Sequence, residues 1–156
     1  MSTAVIVMAV LLTSGGLPSK ARPLGVEITV TEGEHSRDSN STTTSITLKG
    51  RRLHYVKRHT GYRSSHQQSI DKSVEAREKD LEHIRHLLVE KDLFRSRSSI
   101  SPTGEPGRYV EITARIDSHR KRSILKFAAM LPNADRDSLY SGLRELVDEF
   151  EHIANP

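Results

Sequence analysis

The amino-acid sequence predicts an α+β fold: a two-layer sandwich in which an antiparallel sheet of four to six strands carries two amphipathic helices on one face. Three observations lead to this prediction. Apolar and polar residues alternate near residues 28 and 112, which is the period of half-buried strands. In two later segments, apolar residues recur every three or four positions, as in amphipathic helices. The segments follow one another in the order strands, helix, strands, helix.

The first strands are predicted over the N-terminal third of the chain. GVEITVTEG, residues 25–33, alternates three apolar side chains with polar ones. Residues 34–44 contain no apolar side chain, and this composition predicts a loop. TSITLKG (44–50) and RRLHYVKRH (51–59) meet at Gly50. We therefore expect these two stretches to form a hairpin or one long bent strand.

The middle of the chain changes from an extended to a helical pattern. Residues 62–70 predict a polar strand at the edge of the sheet. A helix is predicted to begin at Asp71 or Ser73, either of which can cap it, and to end near residues 91–94. Residues 95–107 contain two prolines and two glycines. These residues cannot continue the helix, so we expect a loop.

The C-terminal third predicts a hairpin followed by the second helix. RYVEITARI, residues 108–116, places its apolar side chains on one face, and a return strand carries Leu125 and Phe127. Asn133 or Asp135 is expected to cap the final helix. The apolar stripe of that helix consists of Leu139, Leu143, Leu146, Phe150 and Ile153.

The N-terminal segment predicts export. AVIVMAVLL, residues 4–12, is too short to span roughly 30 Å of hydrocarbon as a helix, but it has the length of a signal-peptide core. Ser19 and Ala21 are spaced as the small residues of a cleavage site. We expect residues 1–21 to be a signal peptide and residues 22–156 to form a single α+β domain in the periplasm or outside the cell. After cleavage no membrane span is expected. A buried first strand or an uncleaved anchor is the alternative.

Composition and motifs predict a protein without enzymatic activity. Cysteine is absent, which excludes thiol catalysis, thiolate metal sites and disulfides. The nucleophile elbow, the phosphate-binding glycine loop and the dinucleotide fingerprint are also absent from the sequence, so we predict no catalytic residue and no cofactor. His83 and His86 do not have H-E-x-x-H spacing. Glu145, Glu149 and His152 share a helical stripe, but no second element supplies ligands, and we predict no metal site.

Charge is distributed unevenly along the chain. Residues 51–72 carry six Lys or Arg against one Asp, and residues 95–126 carry eight against three acids. The helical segments, 73–94 and 127–156, carry more acids than bases. The sequence therefore predicts a basic sheet layer and an acidic helix layer. The candidate partner-binding residues are Arg52, His54 and Arg58 on one strand, and His119, Arg120, Lys121 and Arg122 in a hairpin turn.

This charge pattern predicts a binding role. We expect a small exported binding or accessory domain that presents its basic sheet face to another protein or to an anionic surface. The alternative is that these cations are solvated strand residues that discourage association at a sheet edge. Nucleic acid is not expected as a partner, because export removes the usual targets and only Tyr55 is interleaved among the cations of residues 51–59.

The order of strands, a helix ending LLVEKDLF, a hairpin and a closing amphipathic helix resembles a group of small bacterial proteins, the emfourins, which inhibit thermolysin-like metallopeptidases. The resemblance covers residues 45–148 and consists of a pattern of apolar positions. The glycine-rich N-terminal stretch of that group is missing, so the resemblance assigns no inhibitory residue. It implies a secreted peptidase inhibitor as the second candidate function, by analogy of fold alone.

Overall fold

The structure is a computed structural model that describes residues 23–34, 40–61, 69–101, 107–118, 121–131 and 133–156. The predicted signal peptide, residues 1–21, lies outside the described residues. In chain order the elements are β1 (Gly25–Glu34), β2 (Ser41–Lys49), β3 (Arg52–Thr60), β4 (Ser69–Glu75), α1 (Glu78–Glu90), β5 (Arg97–Ile100), β6 (Arg108–Asp117), β7 (Arg122–Met130), a short 3-10 helix (Asn133–Arg136) and α2 (Ser138–Ala154).

The fold is α+β, with one mostly antiparallel sheet and two helices. The strand order is β4-β3-β2-β1-β6-β7-β5. All neighbouring strands are antiparallel except β5 and β7, which run parallel at one edge. The prediction of four to six antiparallel strands is therefore corrected to a mixed sheet of seven strands in the described part of the chain. The predicted β6–β7 hairpin is confirmed.

The core lies between the sheet and the two helices. In β1, Val26, Ile28 and Val30 are buried, and the register places Ile28 opposite both Ile46 and Ala114. The apolar stripe of α2 is buried in the same cluster as these strand residues. Burying one such aliphatic side chain stabilises the fold by about 1.5–3 kcal/mol. Because side chains alternate along a strand, the intervening positions face away from the helices.

The prediction of a loop at residues 34–44 is wrong at both ends, because Glu34 belongs to β1 and β2 begins at Ser41; residues 35–39 lie outside the described residues. The start of β2 pairs with β1 on one side, where Thr43 lies opposite Thr31, and with β3 on the other. Threonine is β-branched and suits strands even where its side chain is not buried. Counting the apolar residues of this segment therefore does not reveal the start of β2, because that part of the strand is held by its pairing with β1 and β3.

The predicted start of the first helix is wrong. Asp71 and Ser73 belong to β4, an edge strand paired with β3, and α1 begins at Glu78. The Asp80 carboxylate accepts hydrogen bonds from the Arg77 backbone N–H at 3.0 Å and from the Arg77 guanidinium Nε at 2.9 Å. This interaction satisfies a backbone donor at the first turn and fixes the helix start after β4.

The segment predicted as a loop at residues 95–107 contains β5, a four-residue strand beside β7. Four residues are too few to show a period, and Ile100 is the only apolar side chain among them. The strand ends at Ile100, just before Pro102 in the sequence. Proline lacks the N–H that a further ladder bond would need.

The cap of the second helix is Asp137 rather than Asn133 or Asp135, which lie in the preceding 3-10 helix. The Asp137 side chain accepts hydrogen bonds from the backbone N–H groups of Leu139 at 2.8 Å and Tyr140 at 3.4 Å. The sequence identified the right residue types for a cap. The sequence does not show that a short 3-10 helix, Asn133–Arg136, precedes α2.

Candidate binding face on the open side of the sheet

The face of the sheet that the helices leave open has a hydroxyl-rich centre. Thr29 of β1 lies opposite Ser45 on one neighbouring strand and Thr113 on the other. Neighbouring strands lie about 4.8 Å apart, so the side chains form a regular array. Six hydroxyls of this array make no hydrogen bond with any residue that the structure describes. They belong to Thr29, Thr31, Thr43, Ser45, Thr47 and Thr113, which we call the hydroxyl platform.

Charged side chains surround the hydroxyl platform on the same face. By register, the described residues of this face include six Lys or Arg and five Asp or Glu. The cations are Lys49, Arg52, Arg58, Arg115, Arg122 and Lys126, and the acids are Glu27, Asp71, Glu75, Glu111 and Asp117. The face is thus less basic by count than the sequence predicted, because β1, β4 and β6 contribute acids.

Two of these acids are engaged by arginines near the β6–β7 turn. The Asp117 carboxylate lies 2.6 Å from Arg122 Nε and 3.2 Å from Arg115 Nε. The hydrogen bond from Arg122 is the main cause that holds the pKa of Asp117 below its usual value. Arg115 also approaches Glu27, with 3.8 Å between Nη1 and Oε2. These charges neutralise one another within the face.

Two further acids are paired at the β4 side of the face. The Asp71 carboxylate lies 2.8 Å from His54 Nε2, and the Glu75 carboxylate lies 3.4 Å from Arg51 Nε. Among the described residues, four cations and one acid of the face are left without an ion pair. The cations are Lys49, Arg52, Arg58 and Lys126, which we call the free cations, and the acid is Glu111.

The candidate residues of β3 lie on this face as a row. Arg52, His54 and Arg58 are all exposed and project on the side away from the helices. They are not equivalent, because His54 is bound to Asp71 whereas Arg52 and Arg58 are free cations. The sequence did not single out Lys49 and Lys126, since their position on the same face depends on strand register.

The candidate residues of the β6–β7 turn divide into two groups. His119 and Arg120 lie outside the described residues. Lys121 is exposed, and Arg122 is held by Asp117. Three strand spacings separate Arg122 on β7 from Lys49 on β2, which is about 14 Å. The structure therefore does not bring this turn together with the row on β3.

The charges on the helix side connect the two layers. Arg144 of α2 donates to Glu32 of β1 at 2.8 Å. The buried Tyr55 hydroxyl donates to Glu151 at 2.7 Å, and Lys57 approaches the same carboxylate at 3.4 Å. Burial, together with the hydrogen bond to Glu151, raises the pKa of Tyr55 well above its usual value. One acid of the helical segments, Glu151, therefore helps to hold α2 to the sheet.

The residues weighed as metal ligands are engaged in pairs or exposed. His83 lies 3.6 Å from Glu149, and His86 lies 3.4 Å from Glu90 of the next turn. Within the described ranges, no group of three or more His, Asp or Glu is arranged to hold a metal ion. No helix in the same ranges is long and apolar enough to cross a membrane.

Comparison with known proteins adds no relative to this description. The sequence matches no protein-family model and no curated protein. The assignment of a function therefore depends on the geometry of the open face.

Proposed function

We propose that the protein is an exported, non-enzymatic binding domain that holds an acidic segment of another protein against its open sheet face. The observation that carries this proposal is the imbalance of unpaired charge on that face. Among the described residues, four cations but only one acid have neither an ion pair nor a side-chain hydrogen bond there. An acidic partner would supply the missing countercharges.

The hydroxyl platform suits a protein partner. A hydroxyl both donates and accepts hydrogen bonds, so Thr29 or Ser45 can pair with a carboxylate or with a backbone group. Their side chains are short, which lets an extended segment lie close to the sheet. Two exposed isoleucines, Ile100 and Ile124, add apolar surface at the β5–β7 side. Polar contacts at the centre with charges around them would fix the register of the partner.

Protection of a sheet edge does not account for these cations. Lys and Arg often stand on edge strands to prevent association. Arg52 and Arg58, however, lie on β3, which is covered by β4 on one side and by β2 on the other. The backbone of β3 is therefore already paired with a neighbouring strand on each side. This position leaves their charge available for a ligand on the open face.

A defined acidic polypeptide, poly-L-glutamate, tests the proposal directly. We expect salt-sensitive binding that weakens about twofold to thirtyfold in the double variant Arg52→Gln/Arg58→Gln, since each exposed ion pair contributes about 0.2–1 kcal/mol. The charge-matched control is Lys79→Gln/Arg136→Gln, which removes two exposed cations from α1 and the 3-10 helix. Fluorescence anisotropy with labelled poly-L-glutamate measures both. Equal losses in the two variants would show non-specific charge attraction and reject the proposal.

Export is part of the proposal and has its own test. The apolar run at residues 4–12 and the small residues Ser19 and Ala21 support cleavage after residue 21. Expression with native targeting is expected to give a mature chain that begins at Arg22. Intact-mass measurement of the exported fraction checks this. A product that keeps residues 1–21 and stays in the cytoplasm would contradict it.

Peptidase inhibition is the alternative function, and it predicts a different result. An inhibitor of a thermolysin-like enzyme should titrate that enzyme stoichiometrically. The binding domain proposed here should leave thermolysin activity unchanged at a molar excess of about tenfold, well above the single equivalent that a tight inhibitor requires. Stoichiometric inhibition that survives Arg52→Gln/Arg58→Gln would favour the inhibitor and exclude the open face as its site.

A further inference from the structure

The turn between β2 and β3 forms a rigid corner of the sheet. Only two residues, Gly50 and Arg51, connect Lys49 to Arg52. Gly50 has a φ of +63°, and glycine at the first central position is typical of a type II′ hairpin turn. The Gly50 N–H donates to the Leu24 carbonyl at 3.1 Å, which ties the turn to the chain before β1. The turn therefore fixes the points at which the Lys49 and Arg52 side chains leave the backbone.

This corner places two cations directly opposite each other. Lys49 and Arg52 are register partners on the open face. Like charges opposite each other in a sheet are destabilising. On its other side Arg52 lies opposite Glu75, but the Glu75 carboxylate contacts Arg51, at 3.4 Å from Nε. The acid that the register offers to Arg52 is thus engaged by a third cation.

A cleft of about 620 Å³ opens beside this corner. Arg51 is anchored at its edge, because Nε also donates to the Ala76 carbonyl at 3.3 Å. The Ser73 hydroxyl makes no hydrogen bond with the described residues. The lining residues are Lys49, Arg51, Arg52, Ser73, Val74 and Glu75. The cleft thus combines three cations and one hydroxyl with a single acid.

We infer that this cleft, which we call the corner site, binds a phosphate or sulfate group, held by Lys49 and Arg52 with Ser73 as a further donor. A guanidinium matches two oxygens of a tetrahedral oxyanion, and an ammonium adds a point charge. A doubly charged group also relieves the repulsion between Lys49 and Arg52. Because the cleft is much larger than one such anion, we expect the group to be an ester carried by a polar molecule such as a sugar.

The corner site goes beyond the proposed function and can fail independently of it. It concerns a small anion at one corner, whereas the acidic segment would lie across the whole face. Binding of poly-L-glutamate without binding of phosphate would reject the corner site and leave the proposed function standing. Binding of phosphate without binding of poly-L-glutamate would reject the proposed function and leave the corner site standing.

An NMR titration tests the corner site with inorganic phosphate and with glucose 6-phosphate, against sodium chloride at equal ionic strength. We expect saturable shifts of the amides around Gly50 and Ser73, with tighter binding of the ester. Arg52→Gln should weaken binding by about tenfold or more, as expected for a lost hydrogen bond to a charged group. Arg52→Lys keeps the positive charge but loses the planar guanidinium that can bind two oxygens of the anion, so it should give a smaller loss of affinity. Lys126→Gln removes a free cation of the same face at a distant position and should change the affinity less than about twofold.

Three outcomes would overturn the inference. The first is the absence of saturable shifts with either phosphate compound. The second is an equal loss of affinity in Arg52→Gln and Lys126→Gln, which would indicate general screening by the face. The third is equal affinity for inorganic phosphate and glucose 6-phosphate, which would contradict the inference that the phosphate group is an ester of a larger polar molecule. The amide spectra themselves show whether each variant is folded.

Discussion

The two faces of the sheet differ in what their side chains do, and neighbouring residues of β1 show the difference most clearly. Val30 is 3% exposed and packs in the core, whereas Thr29 projects into solvent on the open face. The covered face is mostly apolar, with Thr44 and Ser123 among its buried side chains, and it shares one hydrophobic core with both helices. The open face is polar and makes few contacts of its own. The comparison indicates that one face stabilises the fold, and the other is the face for which we propose a binding role.

Charge shows the same division between the faces. On the helix side, cations and acids pair between elements: Arg144 of α2 lies 2.8 Å from Glu32 of β1, and Lys91 at the end of α1 lies 2.9 Å from Glu145 of α2. On the open face, four of the five acids are engaged by neighbouring side chains, whereas four cations have no ion pair among the described residues. The acidic composition of the helical segments is therefore partly structural. The unpaired charge, rather than the total charge, distinguishes the two surfaces.

The largest expected effect of a substitution is on the covered face. Phe150 is fully buried in α2, and Phe150→Ala is expected to cost about 3–5 kcal/mol through lost burial and the cavity left behind. That is a large share of a total stability of about 5–15 kcal/mol. Urea unfolding measures it. Thr29→Ala on the open face is the control and should cost no more than about 1 kcal/mol, which is the span of strand propensity. Similar costs for the two variants would remove the difference between the faces.

An intermediate effect is expected at Asp137, which caps α2 and also accepts a hydrogen bond from Ser99 at 2.6 Å. Asp137→Ala is expected to cost about 0.5–2 kcal/mol at neutral pH, as for other lost helix caps. Urea unfolding of the two proteins at pH 7 measures this cost. A neutral substitution would mean that the cap does not fix α2 over the sheet.

The contribution of Asp137 should also depend on pH. Burial would raise the pKa of Asp137, but hydrogen bonds from Ser99, Leu139 and Tyr140 outweigh it and hold the pKa below its usual value. The stabilisation is therefore fully present above the unfolded pKa of about 3.9 and is lost as the pH falls through the lower folded value. Unfolding free energies from pH 7 to pH 2 should show the Asp137→Ala difference shrinking only below about pH 4. A difference that disappears at higher pH would contradict this assignment.

The smallest expected effect is at His152, which is exposed near the end of α2. His152→Ala at pH 7.5 is expected to change stability by less than about 0.5 kcal/mol, because an exposed side chain with no partner among the described residues contributes little. Urea unfolding beside Phe150→Ala measures the contrast within one helix. A cost comparable to that of Phe150→Ala would mean that the opposite face of α2 is engaged and that the two-layer description is wrong.

Local patterns in the sequence account for the elements with a clear period. The alternation in β1 and β6 and the stripe of α2 correctly predict which side chains are buried, since burial on one face imposes that period. β5 could not be predicted, because four residues show no period and its pairing with β7 is a tertiary contact. The sequence predicts a polar edge strand at residues 62–70, of which 62–68 lie outside the described residues, and a helix from Asp71 or Ser73. β4 instead continues to Glu75, because its pairing with β3 is not encoded in local spacing.

The candidate site was predictable only in part, for a related reason. The basic composition of residues 51–59 placed Arg52 and Arg58 among the candidates. Whether a cation is free depends on which residue stands on the neighbouring strand. His54 meets Asp71 across the β3–β4 ladder, and Lys49 meets Arg52 across the β2–β3 ladder. Register decides both cases, and the sequence does not reveal register for polar strands.

The most direct test of the division between the faces is methyl NMR of threonine-labelled protein titrated with poly-L-glutamate. Thr43 and Thr44 are neighbours on β2, but Thr43 belongs to the hydroxyl platform and Thr44 is buried on the helix side. We expect saturable shifts of the Thr43 methyl and of the other platform threonines, with the Thr44 methyl unchanged. Equal shifts of Thr43 and Thr44, or an unchanged platform beside shifted helix resonances, would contradict the proposed division between a binding face and a packing face.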